Sequence, residues 1–158
     1  ARRAPEAVDH LMVSGTAAGL SRWMAQLSVA SAYLYRFFKP ESLVTMSFNQ
    51  FKIPEHYRAS LHDDLLKGFS VDFTRHFTEA LTQIQIPAQA KVLVMVGEKE
   101  TVVAKRDART LASSIGGARG VIAPKVGHVW NLEAADLFTA TVAAFVTDSA
   151  LPAELMSM

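Results

Sequence analysis

The chain contains no cysteine. That removes disulfide staples, a thiolate nucleophile and any zinc site built on thiolates, and says little about redox compartment. It also lacks a dominant sign of charge: 16 Lys and Arg stand against 15 Asp and Glu, a formal net charge of +1. The two signs are interspersed, with no basic stripe and no acidic tail, so no nucleic-acid partner is expected. Long hydrophobic runs are missing as well. No stretch approaches the roughly 18 apolar residues that cross a bilayer, so no membrane span is expected. The opening ARRAPEAVDHLMVSG has no Met, shows no secretion-signal pattern and enters an apolar run almost at once. It reads as the interior of a fold, and the expected location is the cytoplasm.

What is present is ordinary for a globular protein: 158 residues, half of them hydrophobic, enough for one domain with a genuine core. VDHLMV (8–13) reads as a short buried strand closed by the turn-prone SGTAAG. From about residue 20 to 83 the apolar residues recur at helical spacings, in stretches separated by Pro40 and Pro54. Both prolines suit helix entries, and Ser21 and Glu41 suit first turns. This helical block holds 11 of the 14 aromatic residues, between Trp23 and Phe77. SAYLYRFF reads as core of that block, with part of it lining an apolar pocket. After IPAQA the pattern changes again. KVLVMV (91–96) is a continuous apolar strand ending at Gly97, and AKRDARTLASSI (104–115) is an amphipathic helix broken by GGA. ARGVIAP (118–124) is a further strand, and EAADLFTATVAAFV (133–146) a closing helix. Fully apolar strands alternating with helices predict parallel βαβ units, an α/β fold.

In parallel α/β sheets the loops at the carboxyl ends of the strands line the binding crevice. Two such loops carry titratable groups here: GEKE with Glu98 and Glu100, and GH with His128. A carboxylate that accepts from the imidazole Nδ1–H fixes the tautomer and leaves Nε2 as a general base. His128 also has a plain reading as a residue preceding a helix capped by Asn131. His62, Asp63 and Asp64 offer ligand atoms in a row, but adjacent helical residues face different directions, so no metal site is expected. His10, His56 and His76 read as surface or packing residues. No cofactor is expected.

The block from KVLVMVGEKE through APKVGHVWNLEAADLFTATVAAFV resembles the C-terminal part of an α/β-hydrolase. VDHLMVSGTAAG resembles the strand before that family's lid, and the helical block resembles the lid. The resemblance implies about three parallel strands flanked by helices, with residues 1–19 and 84–158 as a partial core and 20–83 as a lid. It implies that His128 is the catalytic histidine. Glu100, third after the strand-ending glycine, matches the position usually held by Asp; Glu there is a departure, and Glu98 is the rival acid. Val102 and Val129 are candidate pocket walls. Trp130 is a candidate substrate-binding residue whose alternative is to pack beneath the histidine loop.

The family's nucleophile sits on a G-x-S-x-G elbow, and no such motif occurs in the chain. Ser14 has no glycine two residues before it, and Ser113 and Ser114 fall inside a helix. By resemblance, ARRAPEA is the tail of the helix leaving the elbow and the chain is the back half of a hydrolase. The implied partners are a small hydrophobic ester-like substrate and either the missing N-terminal half or a second copy pairing at VDHLMV, whose free edge is otherwise a hazard. An Asp nucleophile would instead imply a dehalogenase or epoxide hydrolase. A non-catalytic ligand-binding relative is the third reading. The chain by itself is expected to be inactive.

Overall fold

A computed structural model describes residues 4–15, 21–82 and 90–158. These fall into two compact units, one drawn from Ala1–Ala18 with Gln85–Met158 and one from Gly19–Ile84.

The first unit is built on a sheet of four strands in the order β1 (His10–Ser14), β2 (Lys91–Gly97), β3 (Arg119–Ala123) and β4 (Met156–Ser157). β1, β2 and β3 run parallel, with His10 opposite Lys91 and Leu93 opposite Arg119. β2 is central, and six of its seven residues are buried. Strand geometry sends alternate side chains to opposite faces, which is why KVLVMVG needs no polar alternation. Leu93 and Met95 join Val121, Ala123, Trp130 and Phe145 on one face; Val92, Val94 and Val96 meet Ala108 and Leu111 on the other. β1 is an outer strand, and among the described residues no strand pairs with its second edge.

A short 3-10 turn, Pro5–Ala7, precedes β1, where a helix tail was expected; the first three residues of that expected tail and most of SGTAAG lie outside the described residues. β4 was not anticipated. The tail after the last helix returns antiparallel to β3, pairing Met156 with Ile122, and Met158 N–H donates to Gly120 at 3.1 Å. Two residues carry too little alternation to be read as a strand. The fold is thus α/β with a mostly parallel sheet and one small antiparallel edge.

The second unit contains α1 (Arg22–Ala32), α2 (Pro40–Gln50), α3 (Glu55–Gly68) and α4 (Val71–Thr82), with a 3-10 segment Tyr33–Phe37 after α1. Ser21 caps α1, its Oγ accepting from Met24 N–H at 3.4 Å, and Pro40 occupies the first turn of α2. PEHYRASLHDDLLKGFSVDFTRHFTEALTQI carries one helical rhythm, but its described residues form two helices. Phe69 leaves helical geometry, and Ser70 Oγ accepts from Phe73 N–H at 3.1 Å to start α4. Among its described residues the buried apolar side chains are few: Ala32, Leu43, Val44, Phe48 and Ile53. Trp23, Leu27, Phe37, Phe73 and Phe77 are exposed, the last two stacked at 5.8 Å. An open cleft of about 500 Å³ between α1 and α4 is lined by Ala25, Val29, Ala30 and Tyr33 with Arg22 and Arg75.

Three helices complete the first unit: α5 (Val102–Ser114), the single turn α6 (Trp130–Glu133) and α7 (Ala135–Val146). α5 begins two residues earlier than its amphipathic pattern suggested, because Thr101 Oγ1 accepts from Ala104 N–H at 3.1 Å. Asn131 does not cap the helix after the histidine; Val129 holds that place, without a side-chain cap. Among the described residues no helix is long and apolar enough to cross a membrane.

In the helical unit His62 of α3 is gripped by two carboxylates, Nε2 2.7 Å from Glu41 Oε2 of α2 and Nδ1 3.0 Å from Asp63 Oδ1. Both ring nitrogens can donate only in the imidazolium, and the hydrogen bonds to Asp63 and then Glu41 raise its pKa above the ordinary 6.5. Because the folded pKa is raised, the stabilisation is complete below the unfolded value and fades as pH rises through the folded one. In denaturant titrations between about pH 5.5 and 8, the wild type should lose stability with rising pH more steeply than His62→Gln. Equal slopes would show that the clamp contributes nothing.

Candidate active site

The carboxyl ends of β2 and β3 do more than lie side by side; their loops are laced together through the backbone. Glu98 N–H donates to Ala123 and Lys99 N–H to Val126, each at 2.8 Å. Glu98 turns its carboxylate across the gap, and Oε2 accepts from Lys125 N–H at 2.7 Å. Lys125 holds a left-handed φ of 63°, which folds the second loop back on the first. Lys105 reaches from α5 to the carbonyl of Glu98 at 3.0 Å. Glycine is required at the closest approach. A Cβ on Gly97 would stand 2.2 Å from the carbonyl oxygen of Gly127 and 2.7 Å from that of Val126.

This lacing sets the two titratable groups. The turn after Gly97 closes with Glu100 N–H donating to Gly97 at 3.1 Å, and the next residue caps α5. Glu100 therefore lies under the histidine loop with its side chain only 7% exposed, while His128 is 41% exposed. Glu100 Oε1 is 2.8 Å from His128 Nδ1. A carboxylate oxygen accepts, so this contact suits a ring whose Nδ1 carries the proton. Of the two glutamates in GEKE, Glu100 meets the imidazole and Glu98 pins the loop. The pair belongs to residues 28 apart in sequence.

Glu133 was not singled out in the sequence. Its Oε1 accepts from Gly127 N–H at 2.8 Å, so the helix after the histidine holds the peptide before it. A carboxylate at the start of a helix, close behind a glycine loop with free N–H groups, is the signal that points to it. Among the described residues no group of three or more His, Asp or Glu is placed to hold a metal ion.

No family model matches the sequence, and no curated protein matches it. Solved structures do. The enol-lactonase from Burkholderia xenovorans is similar with a TM-score of 0.62 at 23% identity, over 88% of this chain and 56% of that one. An esterase from Exiguobacterium antarcticum gives 0.65 at 20% identity, over 89% and 57%. An alpha/beta hydrolase from a Medee basin deep-sea metagenome gives 0.60 at 18% identity, over 94% and 59%. This is the fold of the C-terminal part of an α/β-hydrolase. The chain spans less than two thirds of the length of each of these structures.

Within the α/β-hydrolase fold the remaining sequence candidates take distinct places. Trp130 is 1% exposed, edge-on to Phe138 at 4.8 Å, and its Nε1–H donates to Ser14 Oγ at 2.9 Å. It is a buried core residue, its ring packed on Phe138 and its one donor spent on β1. Val129 is half-buried beside His128, and Val102 is 80% exposed in the first turn of α5. Ser14 is tied to the indole, and Ser113 and Ser114 donate to carbonyls of their own helix. Replacing Gly97 by Ala must force the two loops apart. Urea denaturation of Gly97→Ala should show a loss of roughly 3 kcal/mol or more, and an unchanged midpoint would contradict the close approach.

Proposed function

We propose that the chain supplies the histidine and acid of a Ser-His-acid hydrolase whose nucleophile lies outside these 158 residues. The observation that carries this reading is the 2.8 Å contact between His128 Nδ1 and the shielded carboxylate of Glu100 at the carboxyl ends of adjacent parallel strands. The solved relatives support it at the level of chemistry class, since those compared are an enol-lactonase, an esterase and an alpha/beta hydrolase. The absence of a G-x-S-x-G elbow from the sequence supports placing the serine elsewhere. The helical unit is the lid in this reading, and the outer edge of β1, which no strand among the described residues pairs with, takes the strand that precedes it in the intact sheet.

His128 Nε2 accepts the serine proton as the serine oxygen attacks the carbonyl carbon of a small hydrophobic ester. Glu100 stabilises the imidazolium without taking the proton. When the tetrahedral intermediate collapses, the ester C–O bond breaks and His128 returns the proton to the departing alkoxide. Water then attacks the acyl-serine, again passing its proton to Nε2, and the acid is released as the serine recovers its hydrogen. Glu places its carboxylate one methylene further from the backbone than Asp.

The test uses short p-nitrophenyl esters and a fluorophosphonate probe. The 158-residue chain alone should neither turn over nor be labelled. Joined to its nucleophile-bearing partner polypeptide it should do both, and His128→Ala should then lower kcat by about 10⁴-fold or more. Turnover by a mass-verified 158-residue preparation, or full activity in His128→Ala, would sink the proposal. An active assembly that resists fluorophosphonate but traps an ester on aspartate would replace serine by Asp.

A further inference from the structure

The carboxyl end of β1 comes against the His128–Glu100 pair. Gly15, just past β1, holds a left-handed φ of 60°, and its N–H continues the parallel ladder by donating to Met95 at 3.2 Å. A methyl group in the Cβ position of Gly15 would stand 3.0 Å from Cε1 and 3.1 Å from Nδ1 of His128. The same methyl would stand 3.4 Å from Glu100 Oε1. All three atoms belong to one hydrogen bond and the ring carbon beside it. The residue before, Ser14, accepts from the indole of Trp130, two places after the histidine.

We infer that Gly15 is a positioning residue for the histidine–acid pair: its bare backbone covers the Nδ1–H···Oε1 hydrogen bond, and any side chain there wedges the pair. Three facts carry this. The contact distances fall on the Cε1–Nδ1 edge of the His128 ring and on the Glu100 oxygen that Nδ1 meets. Glu100 is 7% exposed although it sits on a charged surface turn, so something must shield it, and Gly15 is close enough to do so. Ser14 fixes the end of β1 to the histidine loop, so Gly15 has little freedom to withdraw. A shielded hydrogen bond is stronger and exchanges its proton more slowly than one open to water. The inference rests on His128 and Glu100 being the functional pair only for its catalytic meaning; the positioning itself is a property of this chain.

It can therefore be tested without turnover. In the 158-residue chain, imidazole nitrogen and proton spectra report the His128 tautomer and the solvent exchange of Nδ1–H. Gly15→Ala should lose the single Nδ1–H tautomer, and the proton should exchange about tenfold faster or vanish. Gly117 provides the control. It has the same left-handed backbone, φ 77°, but a Cβ there meets nothing within 4 Å. Gly117→Ala thus carries the backbone strain without the wedge, and should lower stability while leaving the His128 signals in place. If Gly15→Ala leaves tautomer and exchange unchanged, or Gly117→Ala alters them equally, the inference fails. Should Gly15→Ala not fold, the wild type decides: a nuclear Overhauser contact between Gly15 Hα and the Cε1 proton of His128 supports the inference, and its absence overturns it. Loss of activity in His128→Ala with no effect of Gly15→Ala on the pair would remove this inference and leave the proposed function standing.

Discussion

Two peptide backbones meet at the ends of β2 and β3 at a separation that admits no side chain. The approach of Gly97 to the carbonyls of Val126 and Gly127 brings their loops within hydrogen-bond reach of each other. The carboxylate of Glu98, the left-handed Lys125 and the amide of Gly127 held by Glu133 all act around that crossing. None of these groups is catalytic in the proposed mechanism. Together they fix where a short charged turn and a glycine-histidine corner can stand, and so they fix the distance between Glu100 and His128. A proton shuttle needs its acid held before the reaction begins, since reorienting a carboxylate during the reaction adds to the barrier.

What the sequence made legible follows the range of the interactions concerned. KVLVMV declares a strand buried on both faces because it never alternates, and the glycine behind it declares a close approach. The α/β class followed from such local patterns. Glu98 and Glu100 were harder, because both lie in one turn and differ only in where that turn points; the cap at Thr101 and the lacing of Glu98 to Lys125 separate their roles. The tie between Trp130 and Ser14 spans 116 residues and involves two side chains with no motif of their own. The return of Met156 and Ser157 to β3 is likewise long-range and very short. Contacts of that kind leave no period in a sequence, so a pocket wall and a core tryptophan look the same there.

The helical unit has a different physical character. Its buried apolar set is small, and several of its aromatics face outward. Local devices contribute correspondingly more: Ser21 and Ser70 at helix starts, Pro40 in a first turn, Arg58 reaching the carbonyl of Ile53 and lying over Phe48, and His62 between two carboxylates. Exposed interactions of this kind are individually weak. A unit held in this way has helices that are well specified one by one and a thin shared core.

The place of β1 in the sheet has a consequence for chain entropy. β1 pairs with β2 only after a loop of roughly 80 residues is closed, which in a flexible chain costs about 4 kcal/mol, against about 3 for bringing β3 to β2. The whole helical unit lies inside that longer loop. By folding, it removes most of the loop's disorder in advance and so lowers the cost of seating β1. Ser14 and Gly15, which sit beside the tryptophan, the histidine and its acid, therefore owe part of their stability to helices that need touch none of them. Length and order in the insertion are thus linked to the histidine–acid pair through the unfolded ensemble.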